Sequence, residues 1–327
     1  MTHMSLKLQY FLLIDIGGTK LRSSVGDSTG NIIERVEEYT EVDGEAEGAL
    51  QKIFDISEKA IHLSGIDRKL ITKIAVSFGG PVDFINKRII KSQHVKGWNN
   101  FPLCKHLEKK YGVPAVIDND GNIAALGEYT FGSGKGAKSL LYLTVSTGVG
   151  GGIILNGTIW HGKNNLAGEV GHIIVEDGGL TCECGKKGCV EGYSSGFAVG
   201  KNARNYLIKN PKIKTLIRDL VNNNLEEITA ITVYRAADQG DNLAQDMVNT
   251  SIRKLAIAIA NVISTLDIEK VVIGGGVTHE KERFFKPLQE YVDKFAMFKE
   301  DYHVPIVRAQ NKDDAGLKGC IALALGN

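Results

Sequence analysis

Two strand–turn–strand units with glycine-rich turns limit most strongly what this 327-residue chain can fold into. The first unit is LLIDIGGTKLRSSV at residues 12–25, and the second is LTVSTGVGGGIILNG at residues 143–157. Each unit opens a half of the chain in which apolar strands alternate with amphipathic helical patterns. We therefore expect two related α/β lobes with a central cleft, although the halves show no strong sequence repeat.

The residues in these turns are those that bind phosphate groups. Glycines at the end of a strand let backbone N–H groups approach a phosphate closely, and a hydroxyl or a carboxylate beside them adds a donor or a Mg²⁺ ligand. The candidates are Asp15, Gly17, Gly18 and Thr19 in the first unit and Thr147 and Gly148 in the second. Either turn alone could be an ordinary hairpin, but two turns facing one cleft would grip the phosphates from both sides.

Two other nucleotide-binding motifs do not apply. The Walker A pattern GxxxxGK[ST] is absent. FGSGKGA at 131–137 has the glycine spacing of a dinucleotide-binding loop, but it follows a helical pattern rather than a strand, so we predict a loop.

We expect a first lobe at residues 1–120, joined by a C-terminal helix at about 312–327, and a second lobe at 121–311. Residues 46–63 and 254–266 are predicted to be helices, and 313–325 a helix capped by Asp. Residues 72–78 and 271–277 are predicted to be strands.

Asn119 and Asp120 lie between an apolar strand and a helical pattern, in AVIDNDGNIAAL at 115–126. Ligands bind at this position in open α/β sheets. Asp120 could deprotonate a substrate hydroxyl while Asn119 binds its neighbours. An aspartate here could equally be a helix N-cap.

Three of the five cysteines lie within eight residues, Cys182, Cys184 and Cys189, and His172 lies ten residues upstream of the first. Three thiolates and one imidazole are the donor set of a closed tetrahedral zinc site. A disulfide between Cys182 and Cys184 would be badly strained. The loop 168–192 is therefore predicted to hold structural Zn²⁺, and a buried reduced cluster is the alternative.

The composition excludes several function classes. A formal charge of +1 gives no basic excess for nucleic acid, and the apolar runs are shorter than the ~18 residues that span a bilayer. The first apolar run is predicted to be a strand rather than a signal peptide. An odd cysteine count concentrated in one loop favours a reducing cytoplasm. We expect a cytoplasmic protein without nucleic-acid or membrane partners.

The remaining cysteines and tryptophans are predicted to be core residues, and the remaining histidines lack ligand spacing and are assigned no role: Cys104, Cys320, Trp98, Trp160, His62, His106, His161, His279 and His303.

Six motifs in order along the chain resemble the ROK family (repressor, open reading frame, kinase). They are DIGGTK (15–20), NDGN (119–122), STGVGGG (146–152), EVGH (169–172), CECGKKGCVE (182–191) and IGGGV (273–277). The resemblance spans residues 12–325. It implies an actin-like ATPase (ribonuclease H-like) fold, ATP-dependent phosphorylation of a sugar hydroxyl, and a homodimer or homotetramer.

The resemblance also implies a role for each matching position. Asp120 matches the catalytic base. The sugar-binding positions match Gly80, Asn119, Asp120, Glu169, His172 and Glu191. The Mg²⁺ and phosphate contacts match Asp15, Gly17, Gly18, Thr19, Lys20, Thr147 and Gly148, and the adenosine side matches Gly275 and Gly276. The zinc ligands match His172, Cys182, Cys184 and Cys189. If one nitrogen of His172 binds zinc, the N–H of the other is fixed as a donor to the sugar.

Two other functions, a sugar-responsive repressor and a chaperone-like ATPase, are disfavoured. ROK repressors carry a helix-turn-helix domain before the first phosphate hairpin, and fourteen residues before Asp15 leave no room for one. A chaperone-like ATPase would not need the EVGH and zinc segments.

The sugar is expected to be glucose, phosphorylated on its 6-hydroxyl, with broader hexose use as an option. FGGPVD (78–83) and KGWNNFPL (96–103) favour a glucokinase. His94 stands where many glucokinases have Asn, which weakens strict glucose specificity. N-acetylmannosamine kinase is the second expectation and fructokinase the third.

Overall fold

The computed structural model describes residues 8–40, 46–92, 95–280, 282–297 and 303–326. Two compact units make up the chain, one of residues 1–138, 152–168 and 310–327, the other of residues 139–151 and 169–309.

Twelve strands and ten helices lie within the described ranges. The strands are β1 (Tyr10–Ile16), β2 (Lys20–Asp27), β3 (Ile32–Tyr39), β4 (Ile71–Phe78), β5 (Val82–Asp83), β6 (Arg88–Ile89), β7 (Ala115–Asn119), β8 (Leu140–Val145), β9 (Val149–Leu155), β10 (Thr158–Ile159), β11 (Lys270–Gly274) and β12 (Ile306–Arg308). The helices are α1 (Ala46–Ser64), α2 (Leu103–Tyr111), α3 (Asp120–Phe131), α4 (Glu191–Ser194), α5 (Gly196–Lys209), α6 (Leu216–Asp219), α7 (Ala230–Asp238), α8 (Asn242–Leu266), α9 (Glu282–Phe295) and α10 (Ala315–Leu325).

The first unit is built on a five-stranded sheet of order β3-β2-β1-β4-β7. β1, β2 and β3 are antiparallel neighbours, whereas β4 runs parallel to β1 and β7 parallel to β4. Successive side chains of a strand point to opposite faces. Leu12 accordingly packs with Ile53 of α1 in one core cluster, and Leu13 packs with Ile123 of α3 and Ile321 of α10 in another.

Helix α3 belongs to the first unit, so the structural division differs from the boundary at residue 120 that the sequence suggested. The reason is a close crossing of α3 and α10 at two glycines. A Cβ on Gly319 would lie 1.8 Å from the carbonyl oxygen of Ile123, and one on Gly127 would lie 2.6 Å from that of Ala315. The C-terminal helix thus packs on α3 as well as on the first sheet.

Gly319→Ala should destabilise the protein although alanine favours helices. The added methyl meets backbone, which cannot rotate away, and overpacking of this kind costs about 1–3 kcal/mol. Thermal unfolding followed by circular dichroism measures the loss. Gly276→Ala is the control, because its nearest atom to a new Cβ is 3.7 Å away. Equal melting temperatures for the two variants would contradict the tight crossing.

A second five-stranded sheet has the order β10-β9-β8-β11-β12, in which β8, β11 and β12 are parallel neighbours. Helices α4 to α9 lie in the second unit. Ser195, Thr229 and Asp241 accept backbone N–H groups as N-caps of α5, α7 and α8. These local bonds stabilise the first turns of the three helices.

Several predictions were confirmed, and two, the burial of Trp160 and the Asp cap of the C-terminal helix, were wrong. The segment 131–137 is a turn after α3, with no strand before it. Cys104 and Cys320 are fully buried, and so is Trp98, but Trp160 is 51% exposed. Asp314 precedes α10 without capping it, because its carboxylate pairs with Arg35 instead. Short β5, β6, β10 and β12 and helix α9 were not predicted.

None of the helices in the described part of the chain is both long enough and apolar enough to cross a bilayer.

Candidate active site

Three turns of the first unit meet at one edge of its sheet. β1, β4 and β7 are parallel, and their last residues Ile16, Phe78 and Asn119 are partners across the sheet. The amide of Gly79 donates to the carbonyl of Ile16 at 2.8 Å, and Nδ2 of Asn119 donates to the carbonyl of Gly80 at 3.1 Å. The register therefore brings together the turn after β1, the Gly79–Gly80 turn and the Asn119–Asp120 pair.

The sequence left open whether Asp120 caps α3, and the structure places the cap at Asn119. Asn119 is the N-cap of α3, and its Oδ1 accepts the amide of Gly121 at 2.9 Å. Asp120 is the first helical residue and is exposed, with Oδ1 2.8 Å from the same amide. A Cβ on Gly79 would lie 3.5 Å from Oδ2 of Asp120. Asp120 thus places an acidic side chain in the first turn of α3, where the helix dipole interacts favourably with negative charge.

The first glycine turn is closed by a hydrogen bond from the amide of Gly17 to the carbonyl of Lys20, at 2.9 Å. Asp15 lies at the end of β1, 3.6 Å from the guanidinium of Arg22. Burial raises the pKa of the Asp15 carboxyl group. Nζ of Lys20 is 2.6 Å from Oε1 of Glu37, so this predicted phosphate contact is engaged with a carboxylate of β3. The Asp15 oxygens are hard ligands of the kind that Mg²⁺ prefers.

The second glycine turn, Ser146–Gly148, connects β8 and β9 in the second unit. The amide of Ser146 donates to the carbonyl of Gly148 at 2.9 Å. Gly275 follows β11 with φ +84°, and a Cβ there would lie 2.5 Å from the carbonyl of Val145, so only glycine fits. The strand ends of β8 and β11 are thereby held together.

A cavity of about 840 Å³ opens beside these two strand ends, entirely within the second unit. Its lining includes Thr147, Phe197, Gly200, Tyr234 and Gly276. The volume and the mixed apolar and polar walls are typical of a cofactor-sized ligand site.

The three cysteines and the histidine predicted as metal ligands form one cluster. One ligand atom from each of His172, Cys182, Cys184 and Cys189 lies within 4.8 Å of the others. The Sγ atoms of Cys184 and Cys189 are 3.7 Å apart, and Sγ of Cys182 is 3.8 Å from Nδ1 of His172. Separations of this size match the edges of a tetrahedron around Zn²⁺ with bonds of about 2.0–2.3 Å. The residues therefore fit the ion.

The cluster also positions the glutamates beside it. Nε2 of His172, the nitrogen that faces away from the sulfurs, is 3.9 Å from Oε2 of Glu169. Oε1 of Glu191 is 3.5 Å from Sγ of Cys182, and its Oε2 accepts the amide of Val149 at 2.9 Å. Glu191 thus connects the sulfur cluster to the second glycine turn.

One arrangement next to Asp120 has no counterpart in the sequence analysis. Asp118 is buried and accepts from the amide of Asn119 at 2.7 Å and from Nδ2 of Asn122 at 3.0 Å. Nε2 of His161 lies 2.6 Å from its other oxygen, and the His161 ring stacks on Phe84 at 3.7 Å. Asp118 therefore fixes the backbone that carries Asn119 and Asp120. No local signal reveals a contact across 43 residues.

Known proteins resemble this chain over nearly its whole length. A sequence model described as the ROK family matches residues 11–327. The glucokinase of Halalkalibacterium halodurans is 36% identical to this chain, in an alignment that covers 88% of this chain and 87% of that glucokinase. An N-acetylmannosamine kinase of Escherichia coli O7:K1 is 31% identical, in an alignment that covers 96% of this chain and 98% of that kinase.

A solved structure confirms the predicted fold class. The ROK family glucokinase of Streptomyces griseus, crystallised in complex with glucose and AMPPNP, matches with a TM-score of 0.79 at 31% identity, covering 98% of this chain and all of that one. The two α/β units described above therefore have the actin-like ATPase fold.

Proposed function

This chain belongs to the ROK family, and from that membership we propose that it transfers the terminal phosphoryl group of ATP to the 6-hydroxyl of glucose. One observation carries the proposal. The exposed carboxylate of Asp120 lies at the sheet edge beside the Gly79–Gly80 turn and the first glycine turn, where a hydroxyl acceptor and a phosphate would be needed together.

The nucleotide is assigned to the glycine turns and the large cavity. Thr147 and Gly148 would bind phosphates, and Gly275 and Gly276 would border the adenosine. Gly17, Gly18, Thr19 and Lys20 of the first unit are proposed as further phosphate contacts. Asp15 would hold Mg²⁺, which when bound supplies positive charge to the phosphates.

The sugar is assigned to the polar positions that match those of the family. They are Gly80, Asn119, Asp120, Glu169, His172 and Glu191. The His172 ring would bind Zn²⁺ through Nδ1 and present Nε2 to a sugar hydroxyl, since Nε2 is the nitrogen turned toward Glu169. With four protein ligands, the zinc would serve only to hold this loop in place.

The chemistry requires mainly positioning. Phosphoryl transfer passes through a loose transition state, so fixing the acceptor in line with the phosphorus provides much of the rate. The Asp120 carboxylate accepts the proton of the attacking hydroxyl as the new P–O bond forms, and ADP leaves. The bonds from Asp118 and Asn119 to the start of α3 hold that carboxylate in place.

N-acetylmannosamine is the second candidate acceptor, because the Escherichia coli kinase for that sugar is 31% identical to this chain. His94, the position that departs from the glucokinase pattern, lies outside the described residues.

Sugar preference is tested by coupled ADP release with glucose, mannose, fructose, glucosamine, N-acetylglucosamine and N-acetylmannosamine. We expect kcat/KM to be highest for glucose, by about tenfold or more over the N-acetylated sugars, because a built hydrogen-bonding site discriminates strongly against misplaced polar groups. A higher kcat/KM for N-acetylmannosamine would replace glucose as the substrate while leaving the kinase assignment intact.

We also propose that the enzyme works in the reducing cytoplasm as a homodimer or homotetramer. All five cysteines carry free thiols, which supports the proposed reducing compartment. Light scattering during size-exclusion chromatography tests the second.

A further inference from the structure

The large cavity of the second unit has a smaller neighbour. This second cavity, of about 350 Å³, is lined by Gly148, Glu183, Glu191 and Ser195 among others. Among the described residues, Thr147, Phe197 and Lys201 alone line both cavities. We call these three residues the shared rim. A ligand that extends from the large cavity into the smaller one lies against this rim.

Two of the rim residues lie on one face of α5, because positions i and i+4 of a helix are neighbours. Nζ of Lys201 is 5.6 Å from the centre of the Phe197 ring. The rim therefore combines an aromatic ring, a lysine ammonium group and the threonine of the second glycine turn.

The backbone at the start of α5 has little left to offer an anion. The amides of Gly196 and Phe197 donate to the carbonyls of Ser146 and Thr147, at 2.7 and 3.4 Å, and the amide of Ala198 donates to Oγ of Ser195 at 3.1 Å. A negative charge at the rim therefore gains little from the backbone of α5.

Lys201 is the cation placed to bind such a charge. Arg204 lines the large cavity but not the smaller one, and its guanidinium is paired with Glu226 at 2.9 Å. Nζ of Lys201 is 2.5 Å from Oε1 of Glu183, and both side chains are about half exposed. Such an exposed ion pair is worth at most about 1 kcal/mol, so a stronger anion can displace Glu183.

We propose that Lys201 binds the phosphate chain of the nucleotide where it leaves the large cavity, exchanging Glu183 for a phosphate oxygen. Glu183 lies in the sequence between Cys182 and Cys184, two of the proposed metal ligands. The sulfur cluster therefore positions the carboxylate that pairs with Lys201 when no nucleotide is bound. The inference rests on the proposed function, since it takes the ligand to be ATP or ADP.

The test is calorimetric titration of the full-length protein with ATP, ADP and adenosine in the presence of Mg²⁺ and without sugar. Lys201→Met should weaken ATP and ADP binding roughly tenfold, the scale of one lost charge-assisted hydrogen bond, and leave adenosine binding unchanged. Lys201→Arg should retain most of the affinity. Glu183→Gln should tighten ATP binding about two- to fivefold, because it removes the competing carboxylate.

Lys209→Met is the matched control, as Lys209 is exposed on the same helix and lines neither cavity. Unchanged ATP affinity in Lys201→Met, or an equal loss of adenosine affinity, would overturn the inference. Because the titrations need no turnover, a protein that binds ATP but phosphorylates no sugar would refute only the proposed function. A wild-type protein that binds no ATP would overturn both.

Discussion

Asp120→Asn should fold and bind both substrates but lose most of its turnover. The amide keeps the size of the side chain and cannot accept the proton of the attacking hydroxyl, and the loss of a positioned general base lowers kcat about 10²- to 10⁴-fold. The KM for ATP and the sugar Kd should change by less than about threefold, because the interaction is gained only in the transition state. Steady-state ADP release and sugar titration measure the two effects.

The control for this variant separates proton transfer from helix electrostatics. Asp120 is an acidic residue in the first turn of α3, and Glu47 is exposed in the corresponding turn of α1. Glu47→Gln removes a carboxylate from a helix N-terminus, at about the same cost to stability of 0.3–1 kcal/mol, and should leave kcat unchanged. If Asp120→Asn kept near-normal turnover, Asp120 would not be the base.

Removing the metal should weaken sugar binding far more than nucleotide binding. Cys189→Ser deletes one of four proposed ligands at a buried position, and Glu169, His172 and Glu191 lie within three residues of a ligand or are themselves one. A closed zinc site contributes directly to the folding free energy of its loop. We expect bound zinc to fall from a single ion per chain to a trace, and the sugar Kd to rise about tenfold or more.

Cys104→Ser is the matched control, since Cys104 is equally buried and lies outside the cluster. It should retain zinc and sugar affinity whatever it costs in stability. The readouts are elemental analysis of the purified protein and separate titrations with glucose and ADP. A chelated, zinc-free protein that kept its sugar Kd would contradict the role given to the cluster.

The parts of the fold and site that depend on short-range patterns could be predicted from the sequence. The apolar run that forms β1 is a local signal of a strand, and the cysteines are close enough in sequence for their spacing to indicate a tetrahedral site. Asn119 and Asp120 were found for the same reason, because a strand end followed by a helix start is a local pattern.

Contacts between distant segments could not be predicted. The stacking of His161 on Phe84 and its contact with Asp118 join three segments far apart in the chain. The boundary near residue 120 missed the crossing of α3 and α10, which is decided by two glycines nearly two hundred residues apart rather than by either helix alone. Asp314 was predicted to be a cap because caps are common before helices, and a distant arginine outweighed that preference.

The most direct test of the account is identification of the product. Incubation of the protein with ATP, Mg²⁺ and uniformly ¹³C-labelled glucose, followed by ³¹P and ¹³C NMR, shows which carbon carries the phosphate. The account predicts stoichiometric ADP and glucose 6-phosphate, with neither formed when Asp120→Asn replaces the wild type over the same period. Phosphate on the anomeric carbon, or ATP hydrolysis that does not depend on any sugar, would contradict it.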